Sequence, residues 1–320
     1  MITLKKLAEL SGLSIRTVGR VLSGHPYVAP EKRDRVLELV QKYRYSPNMA
    51  ARNFRLQRKK FVGIMFGNYL LSSHAQLLNM LNRQLVKNEF WPLLGCFDDP
   101  SHCVAMLKEW AGIAEYVVVL HELHNHVIDK LREIQESLPL KFIYADCVQN
   151  VGDYTFSVNR PDSVRRMIRE LPSMGFKHLL YCGSLESRAQ GVQAALQDNL
   201  PMQIESLPSP LEFEDGYRLG DQVVQSGADV VFFDTDRMAF GFYHYAAQKQ
   251  IPIPDRIAVI GCDGEQSGEY MTPPLASLTH PRQQIVDYIL GLLRTGQKPP
   301  EVPLMMEIVH RDSLLRPAHP

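Results

Sequence analysis

Two rhythms of apolar and polar residues divide the chain. Between residues 4 and 42 the apolar positions recur at three and four, the spacing of one face of a helix. Leu4, Leu7, Ala8 and Leu10 predict a first short helix that stops at Ser11-Gly12. Ser14 is placed to cap a second helix, with Val18, Val21 and Leu22 inward and Ile15, Arg16, Gly19 and Arg20 outward. Pro30 suits the first turn of a third, whose buried stripe is read as Val36, Leu37 and Val40. From residue 61 the rhythm changes to near-continuous apolar runs. FVGIMFGN, PLLGCFDD, YVVVLHE and KFIYADC are separated by helical stretches near 74–89, 101–112 and 124–137. A second series, YTFSVN, HLLYCGS, IESLPS, VVFFDTD and IAVIGCD, alternates with helices near 161–174, 187–199, 213–226 and 237–250. Such alternation predicts an α/β body of two parallel sheets, each covered by helices on both faces.

Between the two regions stands YSPNMAARNFR. Ser46 is placed to cap, and Pro47 to begin, a further short helix. Its small Ala50 and Ala51 allow the close approach of an identical helix from a second subunit.

Charge sharpens the division. Residues 1–60 carry 14 Lys/Arg against 4 Asp/Glu, leaving 21 against 31 for the rest, although the whole chain is neutral. A compact cationic head on an acidic body points to a polyanion at one end, since neutralising phosphates releases counterions. Two helices and a glycine turn also describe a generic helical hairpin, but packing alone does not call for Arg16 and Arg20 on the outward face. With 45% hydrophobic residues in 320, buried cores are well supplied. No run of about 18 apolar residues appears and no apolar h-region follows the N-terminal lysines, so a soluble cytoplasmic protein without membrane contact is expected. The five cysteines, at 96, 103, 147, 182 and 262, form no C-x-x-C pair and suit packing in a reducing compartment.

The stretch LAELSGLSIRTVGRVLSGHPYVAPEKRDRVLELVQKYRYSPNMAARNFR resembles the DNA-binding headpiece and hinge of the lactose/galactose repressor (LacI/GalR) family of bacterial transcription regulators. The likeness continues through most of the chain. It implies a helix-turn-helix headpiece over 1–45, a hinge helix and linker over 46–60, and a two-lobed periplasmic-binding-protein-like body of parallel sheets over 61–320. Lobe 1 would span about 61–158 and 282–305, lobe 2 about 159–281 and 306–316. By position, Ile15, Arg16 and Arg20 would read bases, and Thr3, Ser14 and Thr17 would contact phosphates. The family's Thr-Val-Ser-Arg here reads Thr17-Val18-Gly19-Arg20, one backbone-contacting hydroxyl short. Asn48, Ala51, Phe54 and Arg55 would lie in the minor groove with the hinge. There Phe54 stands where the family has a wedging leucine, able to unstack a base step at a cost of a few kcal/mol. Its alternative is to fold back on the body as core.

In α/β folds ligands gather at the carboxyl ends of the strands. The polar residues there are Asn68, Asp98, His121, Asp146, Asn159, Ser184, Asp236 and Asp263, a set suited to a hydroxyl-rich molecule. The family resemblance adds Arg188, in SRAQGVQAAL, as an effector anchor, and Thr235 in VVFFDTDRMAFG where the family has asparagine. It makes Asp263 a hydroxyl acceptor. Leu71-Ser72-Ser73-His74 replaces the family's Asn-Pro-Phe-Phe, so Ser72, Ser73 and His74 would line the effector with polar groups in place of stacking rings. Sugars, sugar acids and sugar phosphates all remain open.

Other chemistry finds little support. HELHNH at 121–126 has Asn125 where the metalloprotease motif needs histidine, and no metal is expected. Phosphate-cradling glycine loops and the G-x-S-x-G elbow are absent, and no cofactor is expected. The expected function is a homodimeric, sequence-specific DNA-binding transcriptional regulator, a repressor, that takes operator DNA and a small effector as partners. The alternatives are a solute-binding protein with the same body and a sugar-processing enzyme.

Overall fold

A computed structural model describes residues 2–45, 60–67, 72–97, 100–120, 133–147 and 153–315. The hinge segment, Asn68, Asp98, His121 and most of the 124–137 stretch lie outside the described residues, as do the hinge residues Asn48, Ala51, Phe54 and Arg55. By its internal contacts the chain divides into two units, Met1–Lys60 and Phe61–Pro320.

The first unit holds α1 (Leu4–Ser11), α2 (Ile15–Leu22) and α3 (Pro30–Lys42). Each of the first two starts at a hydroxyl cap, where Thr3 Oγ1 accepts from Lys6 N at 3.2 Å and Ser14 Oγ from Thr17 N at 3.2 Å. Gly12, at φ +68°, closes α1 in the left-handed conformation that glycine adopts without penalty. Leu7, Ala8, Val18, Val21 and Val36 form the core. Leu37, expected in the stripe of α3, is 47% exposed. Val36 takes the centre, Leu39 and Val40 pack against it, and the face turns Leu37 to solvent.

The body builds two sheets. In chain order the first has β1 (Phe61–Gly67), α4 (Ser72–Lys87), β2 (Trp91–Phe97), α5 (Pro100–Ala111), β3 (Ala114–Leu120), β4 (Lys141–Cys147) and β5 (Tyr154–Ser157). Its strand order is β2-β1-β3-β4-β5, all parallel. The run Tyr154–Asn159, counted with the second series from sequence, therefore supplies the last strand of the first sheet. Leu77, Leu81 and Leu85 of α4 cover one face, over Val62, Ile64, Val118 and Ile143. On the other face Cys103, Leu107 and Trp110 of α5 meet Met65, Val117, Val119 and Phe142. Strands buried on both faces explain why the sequence runs are continuous rather than alternating.

The second sheet follows with α6 (Arg160–Glu170), β6 (His178–Cys182), α7 (Glu186–Leu196), β7 (Gln203–Leu207), α8 (Phe213–Arg218), α9 (Gly220–Gln225), β8 (Val230–Phe233), α10 (Asp236–Gln248), β9 (Ala258–Asp263), β10 (Ala276–Thr279), α11 (Arg282–Thr295) and β11 (Glu307–Val309). The order is β11-β10-β9-β8-β6-β7. The short β11 is antiparallel to β10, an exception to the parallel expectation. The helix expected over 213–226 is two, α8 and α9, laid against α10. A Cβ on Gly216 would stand 1.9 Å from Met238 O, and one on Gly220 within 2.4 Å of the Tyr245 ring, so the close approach depends on both glycines. The helix α11, not foreseen from sequence, returns to the first sheet and contacts α4 and β4. Where the chain crosses between sheets, Leu304 N donates to Ser157 O and Asn159 N to Leu304 O, both at 2.8 Å, tying two crossings together.

Candidate functional site

In the first unit, α2 presents its first turn outward. Ile15 is 47% exposed, and Arg16 and Arg20 are exposed. Thr17 and Ser14 link hydroxyl to hydroxyl at 2.9 Å beside the free backbone N–H groups of the helix start, a geometry suited to a phosphate oxygen. Thr3 caps α1. Nothing stands within 4 Å of the Cβ position of Gly19, so the hydroxyl missing there has room. Gly19→Ser is expected to tighten binding to duplex DNA several-fold, about 1 kcal/mol for one added hydrogen bond. Fluorescence anisotropy on a labelled duplex would check it, and unchanged or weaker binding would count against this face.

In the body, the carboxyl ends of the two sheets carry one connected set of buried charges. It starts from a backbone irregularity. The pairing of β4 with β5 slips by one between Ala145 and Cys147, so Asp146 is an extra residue, at φ +58°. A bulge of this kind re-aims a side chain, and strained backbone of this kind clusters at functional sites. Asp263, the last residue of β9, is held at φ +109°. Each sheet thus carries an aspartate in the left-handed region at the last or last-but-one position of a strand.

Basic groups converge on both. Arg160 Nη2 donates to Asp146 O at 2.8 Å and to Asp146 Oδ1 at 3.1 Å. His280 Nδ1 lies 2.9 Å from the same Oδ1. Arg188 Nη2 donates to Asp263 Oδ1 at 2.9 Å, its Nε reaches Cys262 Sγ at 3.1 Å, and Arg282 Nη2 donates to Asp263 O. Arg160, Arg188, His280 and Arg282 are all buried. Burial would raise both carboxyls, but His280 and Arg160 outweigh it at Asp146, and Arg188 with His280 at Asp263, so both sit below the usual carboxylate range. His74, buried on α4, adds to the pull on Asp146. Among the described residues no donor reaches Asp146 Oδ2, although it is buried, which leaves an acceptor for an incoming hydroxyl or amine.

The other expected residues have structural work. Asp236 is buried, accepts from Ser277 Oγ at 2.7 Å, and accepts from Glu265 N. Burial, with Asp263 beside it, pushes its carboxyl up to about 8 against those two bonds. Thr235 caps α10, accepting from Met238 N at 3.2 Å and donating to Leu211 O at 3.0 Å. Asn159 caps α6 through Asp162 N at 3.1 Å. Ser184 is exposed, and its backbone N–H, like that of Leu185, donates to Asp234 Oδ2 at 2.7 Å. Asp234 thereby holds the turn that leads into α7. Ser72 and Ser73 begin α4. Of the sequence-derived set, the fold brings together Asp146, Asp263, Arg188 and His74. Arg160, His280 and Arg282 were missed. Each follows a strand within three residues and adjoins a proline that opens a helix, a signal available in NRPD and THPR.

Among the described residues no group of three or more His, Cys, Asp and Glu side chains could hold a metal ion, and no helix is long and apolar enough to cross a membrane.

Comparison with known proteins matches two parts of the chain. Residues 3–48 match the bacterial regulatory proteins of the lacI family, and residues 168–314 match a periplasmic binding protein-like domain. The HTH-type transcriptional regulator MalR of Clostridium butyricum is 22% identical, across 97% of this chain and 98% of its own length. The NTD biosynthesis operon regulator NtdR of Bacillus subtilis (strain 168) is 26% identical, across 88% of each. A crystal structure of the lac repressor dimer bound to operator and the anti-inducer ONPF shares the fold, with a TM-score of 0.78 at 18% identity, over 98% of this chain and 99% of that one.

Proposed function

The chain belongs to the lacI family of bacterial regulatory proteins, and from that premise we propose a repressor that binds operator DNA as a homodimer and is controlled by a sugar or sugar derivative held between the lobes. The observation that carries the effector half of this reading is the set of buried charges at the strand ends of both sheets. Asp146 comes from one sheet and Asp263 from the other, each braced by its own arginine. An effector held by both would favour one separation of the lobes over the rest, and a ligand shifts an equilibrium only by such a difference in affinity.

For the DNA half, Ile15, Arg16 and Arg20 are the base readers and Ser14, Thr17 and Thr3 the phosphate contacts, with the hinge segment, Asn48, Ala51, Phe54 and Arg55 included, entering the minor groove. Two-fold symmetric heads suit a pseudo-palindromic operator. A coupling of about 1–3 kcal/mol between effector and DNA sites is enough for regulation. The solute-binding and enzymatic alternatives give way because the lacI-family match covers the headpiece and the relatives are regulators.

Thermal-shift screening of the full chain against sugars, sugar acids and sugar phosphates tests the effector half. A ligand at 100 times its dissociation constant is expected to add about 2.7 kcal/mol of stability and raise the melting point. The same ligand should lose its effect with Arg188→Ala. A shift that survives that substitution would place the effector elsewhere.

A further inference from the structure

One buried histidine stands where the two sheets of the body meet. His280 follows the last residue of β10 and precedes Pro281, at the passage of the chain from the second sheet to α11 on the first. Its side chain is 3% exposed. Nδ1 lies 2.9 Å from Asp146 Oδ1, on β4 of the first sheet. Nε2 lies 3.4 Å from Asp263 Oδ1, on β9 of the second, an ion-pair separation without a well-aligned hydrogen bond. A neutral imidazole has one N–H and one lone pair. It could donate to one of these aspartates only by turning its lone pair on the other. The imidazolium presents an N–H to each.

We propose that His280, protonated, is a positioning residue that bridges the two lobes and holds Asp146 and Asp263 in register across the cleft, so that closure of the body is linked to uptake of a proton on this ring. The role rests on the effector reading above, while the bridge itself is a property of the chain without ligand. The groups that face the ring are Asp146 of β4 and Asp263 of β9. Behind them stand Arg160 of α6, Arg188 of α7, Arg282 of α11, His74 of α4 and Asp236 of α10. The arginines stay charged throughout. The two aspartates are held ionised by their neighbours, as described above. The charge that a proton can add or remove at the bridge is therefore that of the imidazole. Asp236, whose carboxyl is pushed up to about 8, changes charge as well, so only a comparison at position 280 isolates the bridge. The sign is fixed by the anions: a cation between two carboxylates holds the lobes together, and the hold weakens as rising pH removes its proton.

The test uses the full chain without effector. Melting temperatures of wild type and His280→Gln are measured across about pH 5 to 8. Glutamine keeps one donor and one acceptor and never carries charge. Wild type is expected to melt higher at the acid end, with the advantage shrinking as pH rises. A gap that stays constant, or no gap, overturns the proposal. In parallel, long-range proton–nitrogen NMR of the wild-type imidazoles follows the ring whose signals vanish in His280→Gln. Both ring nitrogens are expected to be protonated at the acid end, and a neutral ring there overturns the bridge. Should the glutamine variant fail to fold, Asp146→Asn keeps the local shape and removes one anion. The imidazole that loses its second proton at a lower pH both in that variant and in Asp263→Asn is then His280, since His74 acts on Asp146 and not on Asp263; if no ring shifts in both, the bridge is again overturned. Absence of any effector in the thermal screen leaves these outcomes untouched, whereas a flat melting gap defeats the bridge and leaves the effector reading standing.

Discussion

Arg160→Ala is expected to destabilise the body by about 3–5 kcal/mol, the cost of breaking a buried ion pair and leaving one charge behind. The arginine side chain is 4% exposed and that of Asp146 1%, so water cannot replace the lost partner. Against a native stability of about 5–15 kcal/mol, such a loss leaves little margin. The contrast is Lys141 with Glu115, at 2.8 Å but 47% and 43% exposed. A pair in that setting contributes about 0–1 kcal/mol, because water screens it and two long side chains must be ordered. Distance does not separate the two pairs; burial does. Urea unfolding of the body's transition in the two alanine variants would check this, with Arg160→Lys intermediate because lysine keeps the charge on a head of different shape and reach from the guanidinium that sets Nη2 between Asp146 O and Oδ1. Equal effects from Arg160→Ala and Lys141→Ala would mean that the charges at the strand ends do not bear on the fold.

The architecture was legible because its causes are local. The cap at Ser14, the stop at Gly12 and apolar runs buried on both faces each act within a few residues. The misreadings have longer-range causes. Leu37 and Val36 are equally apolar, and only the docking of α1 and α2 decides which of them is covered. A helix over 213–226 satisfies the local pattern, but α10 approaches so closely that Gly216 and Gly220 lie against its backbone and a ring. The strand KFIYADC reads as unbroken, since the bulge at Asp146 exists only relative to β5. The same limit governs the site. Asp263 was named by its place at a strand end and Arg188 through a family likeness, whereas His280 meets Asp146 across 134 positions of chain, a partnership no spacing rule announces. Thr235 and Asp236, named with them, prove to be engaged in capping and in holding the loop after β9.

The second large effect belongs to the first unit. An arginine paired with guanine O6 and N7 contributes about 1–3 kcal/mol of discrimination. Arg16→Ala and Arg20→Ala are each expected to lose that much at one base position, leaving preference elsewhere in the site intact. Replacing Lys59 and Lys60 together should instead weaken binding to all sequences alike and flatten the dependence on salt by about one unit per lost phosphate contact. Titrations on a preferred duplex and on its single-base variants at two salt concentrations separate the two behaviours. Arginine variants that weaken every duplex equally would make α2 a backbone clamp and not a reader.

The most direct measurement of the whole account is selection of random duplex DNA by the purified full-length protein, with and without the sugars of the thermal screen. Enrichment of one pseudo-palindromic sequence is expected, lost from Arg16→Ala, with occupancy that changes when an effector is added. Recovery of unenriched sequence under every condition would contradict it.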